Sequence, residues 1–132
     1  MAHFSELDEN NIVIRVLVTD NNDPNNDEGY QWLIDNLGGR WEKTSYNTFA
    51  NQHALGKTPF RYNFGAIGSF FDESAEPDGA FIYPKPFDSW ILDTSTYSWT
   101  SPVPYPVDTE DGNVYTWNED TLNWVPMLLR FS

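Results

Sequence analysis

The sequence predicts a mostly β, α+β protein in which a small N-terminal sheet and one short helix precede serial aromatic β-hairpins joined by proline-rich spacers. Three observations carry this prediction. Short runs of β-branched and aromatic residues recur along the chain, as is typical of strands. A single stretch has apolar residues at helical spacing. An aromatic turn unit is repeated in the second half of the chain.

Residues 4–20 predict an opening hairpin. Ser5-Glu6-Leu7 leads into a polar turn over residues 8–11, and residues 12–18 form a nearly continuous run of branched apolar side chains. A continuous apolar run is typical of a strand that is buried on both faces. We therefore expect the second strand of this hairpin to lie inside the protein.

An Asp/Asn-rich loop follows over residues 20–27, and its oxygen-bearing side chains are ligands that calcium accepts. It lacks the EF-hand glycine at the sixth position, and Gln31 stands where the twelfth position requires Glu. We interpret the loop as one that caps the next helix, and calcium binding stays open.

Residues 28–37 predict the helix, with Asp27 or a neighbour as its N-cap. The residues Tyr30, Leu33, Ile34 and Leu37 form one apolar stripe. Gly38-Gly39 ends the helix, and residues 40–45 predict a short strand.

Residues 46–64 have no clear period and predict an ordered loop. The glycines of residues 65–68 suit a close backbone approach rather than a phosphate-binding loop, because no phosphate-loop motif follows them.

The aromatic unit is clearest in residues 90–99 and 115–124. Each copy opens on an aromatic residue, turns at Asp or Asn, and closes on a Trp, and residues 70–82 form a looser copy. Proline cannot donate to a ladder, so residues 83–87 and 101–106 predict extended spacers. We expect Trp99 and Trp124 to have equivalent roles, each packing against the aromatic residue that opens its hairpin, Trp90 or Tyr115.

Charge and proline content divide the chain into an N-terminal α+β part, residues 1–69, and the hairpin repeats with an apolar tail, residues 70–132. The net charge of −13 argues against partners that are bound through phosphates, so we expect neither nucleic acid nor an anionic membrane as a partner. The absence of cysteine excludes disulfides. We expect no signal peptide and no membrane-spanning segment, and therefore synthesis in a cytoplasm.

The search for chemistry gives no catalytic constellation. His3 and His53 are the only histidines, no nucleophile motif is present, and the paired carboxylates fall in predicted turns where water keeps both ionised. We predict a protein that is not an enzyme, with no cofactor and no metal site.

The candidate binding residues are aromatic or apolar side chains of the second half: Trp90, Trp99, Tyr115, Trp117, Trp124, Leu128, Leu129 and Phe131. Two uses of the tryptophans stay open. Packing in a core or an interface leaves few of them exposed, whereas a sugar-stacking platform needs two or three coplanar, exposed rings.

Several stretches resemble a family of small proteins encoded by marine tailed bacteriophages, those of cyanobacteria and other ocean bacteria. The resemblance rests on Ala2-His3-Phe4 with residues 7–13, on Thr44-Ser45-Tyr46-Asn47, on Arg61-Tyr62-Asn63-Phe64 with residues 65–68, on Pro84-Lys85-Pro86-Phe87 with residues 88–90, on Pro102-Val103-Pro104-Tyr105-Pro106, and on residues 115–119 with Trp124. It covers nearly the whole chain in order.

The resemblance implies a phage origin and a place in the virion, and it supplies no catalytic residues. We therefore expect a non-enzymatic structural protein, either a capsid decoration or cement protein or a minor tail component. Its partners would be other virion proteins or further copies of itself. The alternative is a glycan- or receptor-binding module on a tail fibre.

Overall fold

A computed structural model describes residues 2–19, 26–107 and 112–127. The elements are β1 (His3–Leu7), β2 (Val13–Val18), α1 (Tyr30–Leu37), β3 (Arg40–Thr44), β4 (Thr48–Phe49), β5 (Gln52–His53), β6 (Phe70–Asp72), β7 (Ala80–Ile82), β8 (Ile91–Asp93), β9 (Ser98–Thr100), β10 (Tyr115–Asn118) and β11 (Asn123–Pro126). Within these ranges there is one helix, and the sheets are small and antiparallel. The predicted fold class is confirmed.

The chain forms two compact units. Unit 1 comprises Met1–Pro84 together with Thr94–Ser98, and unit 2 comprises Lys85–Asp93 together with Trp99–Ser132. The aromatic hairpin β6–β7 thus belongs to the same unit as the N-terminal sheet. The division of domains at residue 69 stays a prediction, and the compact units follow other boundaries.

Unit 1 is built on a three-stranded sheet of order β2-β1-β3. The predicted opening hairpin is confirmed, since β1 pairs with β2 from His3 opposite Val18 onward. The predicted burial of β2 on both faces is wrong. Ile14 and Val18 are 50% and 51% exposed, because β3 pairs with the other side of β1 and leaves β2 at the edge.

The two faces of this sheet carry separate apolar cores. On one face Phe4 and Trp41 pack with Leu33 of the helix. On the other face Leu7 packs with residues of the β6–β7 hairpin, among them Phe81, which is fully buried. Residues alternate between faces along a strand, so β1 supplies side chains to both cores.

The helix begins two residues later than the sequence predicts, and Gly29 rather than Asp27 holds the N-cap position. The Asp27 carboxylate accepts hydrogen bonds from the backbone N–H of Gly29 at 3.1 Å and of Gln31 at 2.8 Å, which satisfies donors that a helix start leaves open. Gly38 ends the helix, and its N–H donates to the Ile34 carbonyl at 3.0 Å.

The predicted apolar stripe is only partly covered. Leu33 is buried and Ile34 packs beside it. Tyr30 and Leu37, at the two ends of the same stripe, are among the exposed apolar residues. A helix of eight residues is held here mainly by one buried side chain.

The predicted loop over residues 46–64 contains the small hairpin β4–β5 and is held by Asn63. The Asn63 amide donates to the carbonyls of Phe81 and Tyr97, both at 2.9 Å, and accepts from the N–H of Ala50 at 2.9 Å. Only 2% of Asn63 is exposed. The loop has no sequence period because a single amide, rather than an apolar face, fixes it.

Arg61, two residues earlier, anchors the same loop. Its guanidinium lies 4.8 Å from the Phe60 ring centre and 5.0 Å from that of Phe71. It also pairs with the Glu42 carboxylate at 2.9 Å and donates to the Lys43 carbonyl at 2.9 Å. The charge is thus neutralised and hydrogen-bonded where water is partly excluded.

The predicted close backbone approach occurs at Gly65. A Cβ atom there would lie 2.6 Å from a Phe81 ring carbon and 2.6 Å from the Ser5 hydroxyl oxygen. Ser5 in turn donates to the Gly65 carbonyl at 2.6 Å. This position has no room for any side chain.

The two clearest repeats, β8–β9 and β10–β11, form hairpins with matching turns. Tyr97 and Leu122 hold equivalent positions just before the second strand, with φ of 53° and 52°. Non-glycine residues rarely adopt this left-handed conformation. The repeated unit read from the sequence is therefore also a repeat of backbone geometry.

Candidate functional site: an aromatic cluster in unit 2

Three tryptophans of unit 2 pack edge to face. Trp117 and Trp124 oppose each other across β10–β11, with ring centres 5.3 Å apart and planes at 73°. Trp90 lies 6.0 Å from Trp117 at 88° and 6.1 Å from Trp124 at 63°. Such arrangements are the favoured ones for aromatic pairs, because the electron-poor edge of one ring meets the electron-rich face of another.

The proline-rich spacers extend this cluster. Tyr105 lies 4.9 Å from Trp124, and its hydroxyl accepts a hydrogen bond from the Tyr115 N–H at 3.1 Å. Phe87 lies 5.7 Å from Trp90. Sequence reasoning treated the spacers as connectors and missed both residues, although each spacer carries an aromatic residue among its prolines.

The ladder register corrects one expectation. Trp124 was predicted to close on Tyr115, but Tyr115 pairs with Pro126 and Trp124 pairs with Trp117. The reason is geometric: residues two apart on a strand share a face, so Tyr115 and Trp117 were equally able to meet a Trp. The register of the two strands decides which of them faces Trp124.

Trp99 has a different setting from Trp124. The Lys85 ammonium lies 5.6 Å from the centre of the Trp99 ring, within the range of a cation–π interaction. Trp99 is half-buried. Its predicted packing against Trp90 stays a prediction, and the equivalence of the two repeats is shown for their turns only.

A carboxylate anchors the cluster on its polar side. Glu119 accepts hydrogen bonds from the Ser89 hydroxyl at 2.6 Å, the Ser89 N–H at 2.9 Å and the Trp117 indole N–H at 2.8 Å. The Ser89 hydroxyl, and after it the Trp117 indole, lowers the pKa of Glu119. Its contribution to stability is therefore present above the ordinary pKa of a glutamate and is lost as the pH falls through the lowered value.

The indole of Trp124 is also satisfied, since its N–H donates to the Val103 carbonyl at 2.7 Å. Trp117 is 7% exposed, and Trp90, Trp99 and Trp124 are all half-buried. A sugar-stacking platform of coplanar, exposed rings does not fit rings that cross at 63–88°. The arrangement fixes the hairpin and its spacers to one another.

The predicted contacts of Leu128, Leu129 and Phe131 lie outside the described residues and stay predictions, as does the calcium question for the loop that starts at Asp20. Over residues 2–19, 26–107 and 112–127, no group of three or more His, Asp or Glu side chains is placed to hold a metal ion. In the same part of the chain, no helix has the length and apolar character needed to cross a membrane.

Comparison of the chain with known protein families, with curated proteins and with solved structures finds no match.

Proposed function

We propose that this chain is a non-enzymatic structural component of a tailed phage particle, either a capsid decoration or cement protein or a minor tail component. The assignment to a phage particle rests on the resemblance to small marine phage proteins. The assignment of a structural role rests on the packing of the tryptophans. Trp90, Trp117 and Trp124 pack on one another, and two of their indoles are hydrogen-bonded within the unit.

Exposed apolar side chains that are not part of this cluster supply the contact area that such a role needs. Leu55, Ile67, Ile91 and Val107 are among the most exposed of them. A cement protein acts by burying many modest patches against neighbours, and apolar side chains on the surface are the usual core of such contacts. The proposal therefore assigns adhesion to these side chains and rigidity to the tryptophans.

The alternative, a glycan- or receptor-binding module, is favoured by one observation. Tyr105 is exposed and lies beside Trp124, so it offers a ring at the surface of the cluster. A single ring gives less stacking area than a platform does, and for that reason we place this function second.

Mass spectrometry of purified virions, with copy number, tests the proposal. Copies on the order of hundreds per particle would assign the chain to the capsid, and about six to a few dozen would assign it to the tail, because each follows the symmetry of its assembly. Absence from washed particles would overturn both assignments.

A glycan array separates the alternative from the proposal. Wild-type protein that binds a glycan, and loses it in a stably folded Tyr105→Ala variant, would support the receptor-binding function. The matched control is Tyr46→Ala, which removes an exposed tyrosine from unit 1.

A further inference from the structure

Among the described residues, strand β2 is an unpaired edge of its sheet over most of its length. At its N-terminal end the edge is covered, because the Val13 N–H donates to the Ser69 carbonyl at 2.8 Å and the Gly68 N–H donates to the Val13 carbonyl at 2.8 Å. From Ile14 to Val18 no other strand of the described chain pairs with this side of β2.

The pairing with β1 determines which backbone groups remain open. The Thr19 N–H donates to the Ala2 carbonyl at 2.8 Å, in line with the β1–β2 register. Residues of an antiparallel ladder alternate between facing their partner and facing away. Leu17 and Arg15 therefore bond to β1, and the N–H and C=O groups of Val16 and Val18 point outward.

The opposite edge of the sheet shows how this chain protects a strand. Strand β3 carries three charged residues among its five, and the Lys43 carbonyl is capped by Arg61. Within the described residues, strand β2 has no comparable protection. Its one charge, Arg15, is held by Glu6 of β1 at 2.9 Å, and Ile14 and Val18 are half exposed. Unprotected edges are templates for another strand.

We propose that this edge binds the β2 edge of a second copy of the chain. A two-fold axis through Leu17 places Val16 of each copy opposite Val18 of the other. This antiparallel register pairs the four outward groups of Val16 and Val18 in each copy with those of its partner. The two three-stranded sheets then become one six-stranded sheet.

The local distribution of charge permits a second copy at this position. The chain carries a net charge of −13, yet residues 12–19 contain no carboxylate. In the proposed register Arg15 of each copy faces Thr19 of the other. Two copies can therefore meet along β2 without bringing carboxylates into opposition, which on sheet surfaces is destabilising.

The proposal goes beyond the proposed function and stands independently of it. The interface consists of one short strand pair and the half-exposed side chains beside it, so it belongs among small, weak interfaces. We expect a reversible dimer with a dissociation constant below about 1 mM.

Sedimentation velocity of the full chain over a concentration series tests it. Val18→Pro removes an N–H that β1 does not use, and so deletes one hydrogen bond in each half of the dimer. Val18→Lys places a charge on the edge. Each should raise the dissociation constant, the proline variant by about thirtyfold. Leu55→Lys is the matched control, because Leu55 is 69% exposed in the same unit and lies outside β2 and outside residues 68–69, which cover its N-terminal end.

The expected result is a dimer for the wild type and for Leu55→Lys, and a monomer for both Val18 variants with unchanged circular dichroism. A wild type that stays monomeric at about 1 mM, or a folded Val18→Lys variant that dimerises like the wild type, would overturn the proposal. Val18→Lys keeps the test decisive if the proline variant fails to fold.

The register has its own test, because the chain contains no cysteine. At a non-hydrogen-bonded pair the two Cα atoms lie about 4.5 Å apart, which a disulfide can span. Leu17→Cys should therefore form a covalent dimer on mild oxidation, and Leu55→Cys should not. A Leu17→Cys variant that does not cross-link under conditions where the wild type dimerises would overturn the Leu17-centred register.

Discussion

The side chain of Asn63 joins three backbone segments of unit 1, and we expect its loss to be costly. Asn63→Ala leaves the carbonyls of Phe81 and Tyr97 and the N–H of Ala50 without this partner. An unsatisfied buried polar group costs about 1–3 kcal/mol, so the free energy of unfolding should fall by about 2–4 kcal/mol. Chemical denaturation measures the change.

Gln52→Ala is the control for this prediction. Gln52 is exposed in strand β5 of the same loop and has an ordinary backbone conformation, so truncation of its side chain should change the unfolding free energy by less than about 0.5 kcal/mol. Equal effects of the two variants would show that the buried amide has no special role.

Tyrosine ionisation should limit stability at high pH. Burial raises the pKa of Tyr83 to about 12, and burial, followed by the charge of Asp72, raises that of Tyr97. A folded-state pKa above the unfolded value means that stability is fully present below about pH 10 and is lost as the pH rises towards 12. Denaturation curves between pH 9 and pH 12, read beside the tyrosinate absorbance, should show that decline.

Tyr83→Phe removes one of these groups from the titration. Its unfolding free energy should fall less steeply than that of the wild type in the same pH range. Identical pH profiles for the two proteins would contradict the assignment of the raised pKa to Tyr83.

At the scale of elements, the hairpin β10–β11 depends on its crossed tryptophans. Trp117→Ala removes a buried ring and one hydrogen bond to Glu119. Truncation of a buried tryptophan costs about 3–5 kcal/mol, so unit 2 should unfold at a clearly lower temperature. Trp124→Ala should follow in the same direction with a smaller effect, because Trp124 is half-buried. Near-ultraviolet circular dichroism follows the loss of the packed rings.

Trp32→Ala is the matched control, because Trp32 is exposed on the helix of unit 1. It should melt like the wild type. Normal melting of Trp117→Ala, coupled with loss of a ligand, would move the cluster from a structural role to a binding role.

Local sequence patterns predicted those helices, strands and turns whose conformation depends mainly on their own residues. The helix, its Gly38 end, strand β2 and the two repeated turns all follow from such patterns. The central place of strand β1 in the sheet could not be found in this way. Its sequence includes Ser5 and Glu6, and it is central because the distant strand β3 pairs with it.

The candidate site divides in the same manner. Its tryptophans were found from their abundance and spacing. Ser89 and Glu119 were not, because they lie thirty positions apart and meet only through the fold. The pairing of Trp117 with Trp124 also required the register, which adjacent aromatic positions leave open.

At the scale of the whole molecule, the charge is concentrated on the surface. Four cations of the described chain, Arg15, Arg40, Lys43 and Arg61, are in ion pairs. Exposed pairs of this kind contribute little to stability. The remaining carboxylates set the field that a partner meets, so a particle protein that holds this chain should offer basic or apolar patches rather than acidic ones.

Unit 1 is not a continuous piece of the chain, and this imposes an order on biosynthesis. Residues Thr94–Ser98 belong to it, although they follow the first stretch of unit 2. A ribosome that has released only the first 84 residues has made an Asn63 whose acceptor, the Tyr97 carbonyl, does not yet exist. The N-terminal sheet can form early in translation, but the unit that contains it becomes complete only after the turn of a later hairpin has left the ribosome.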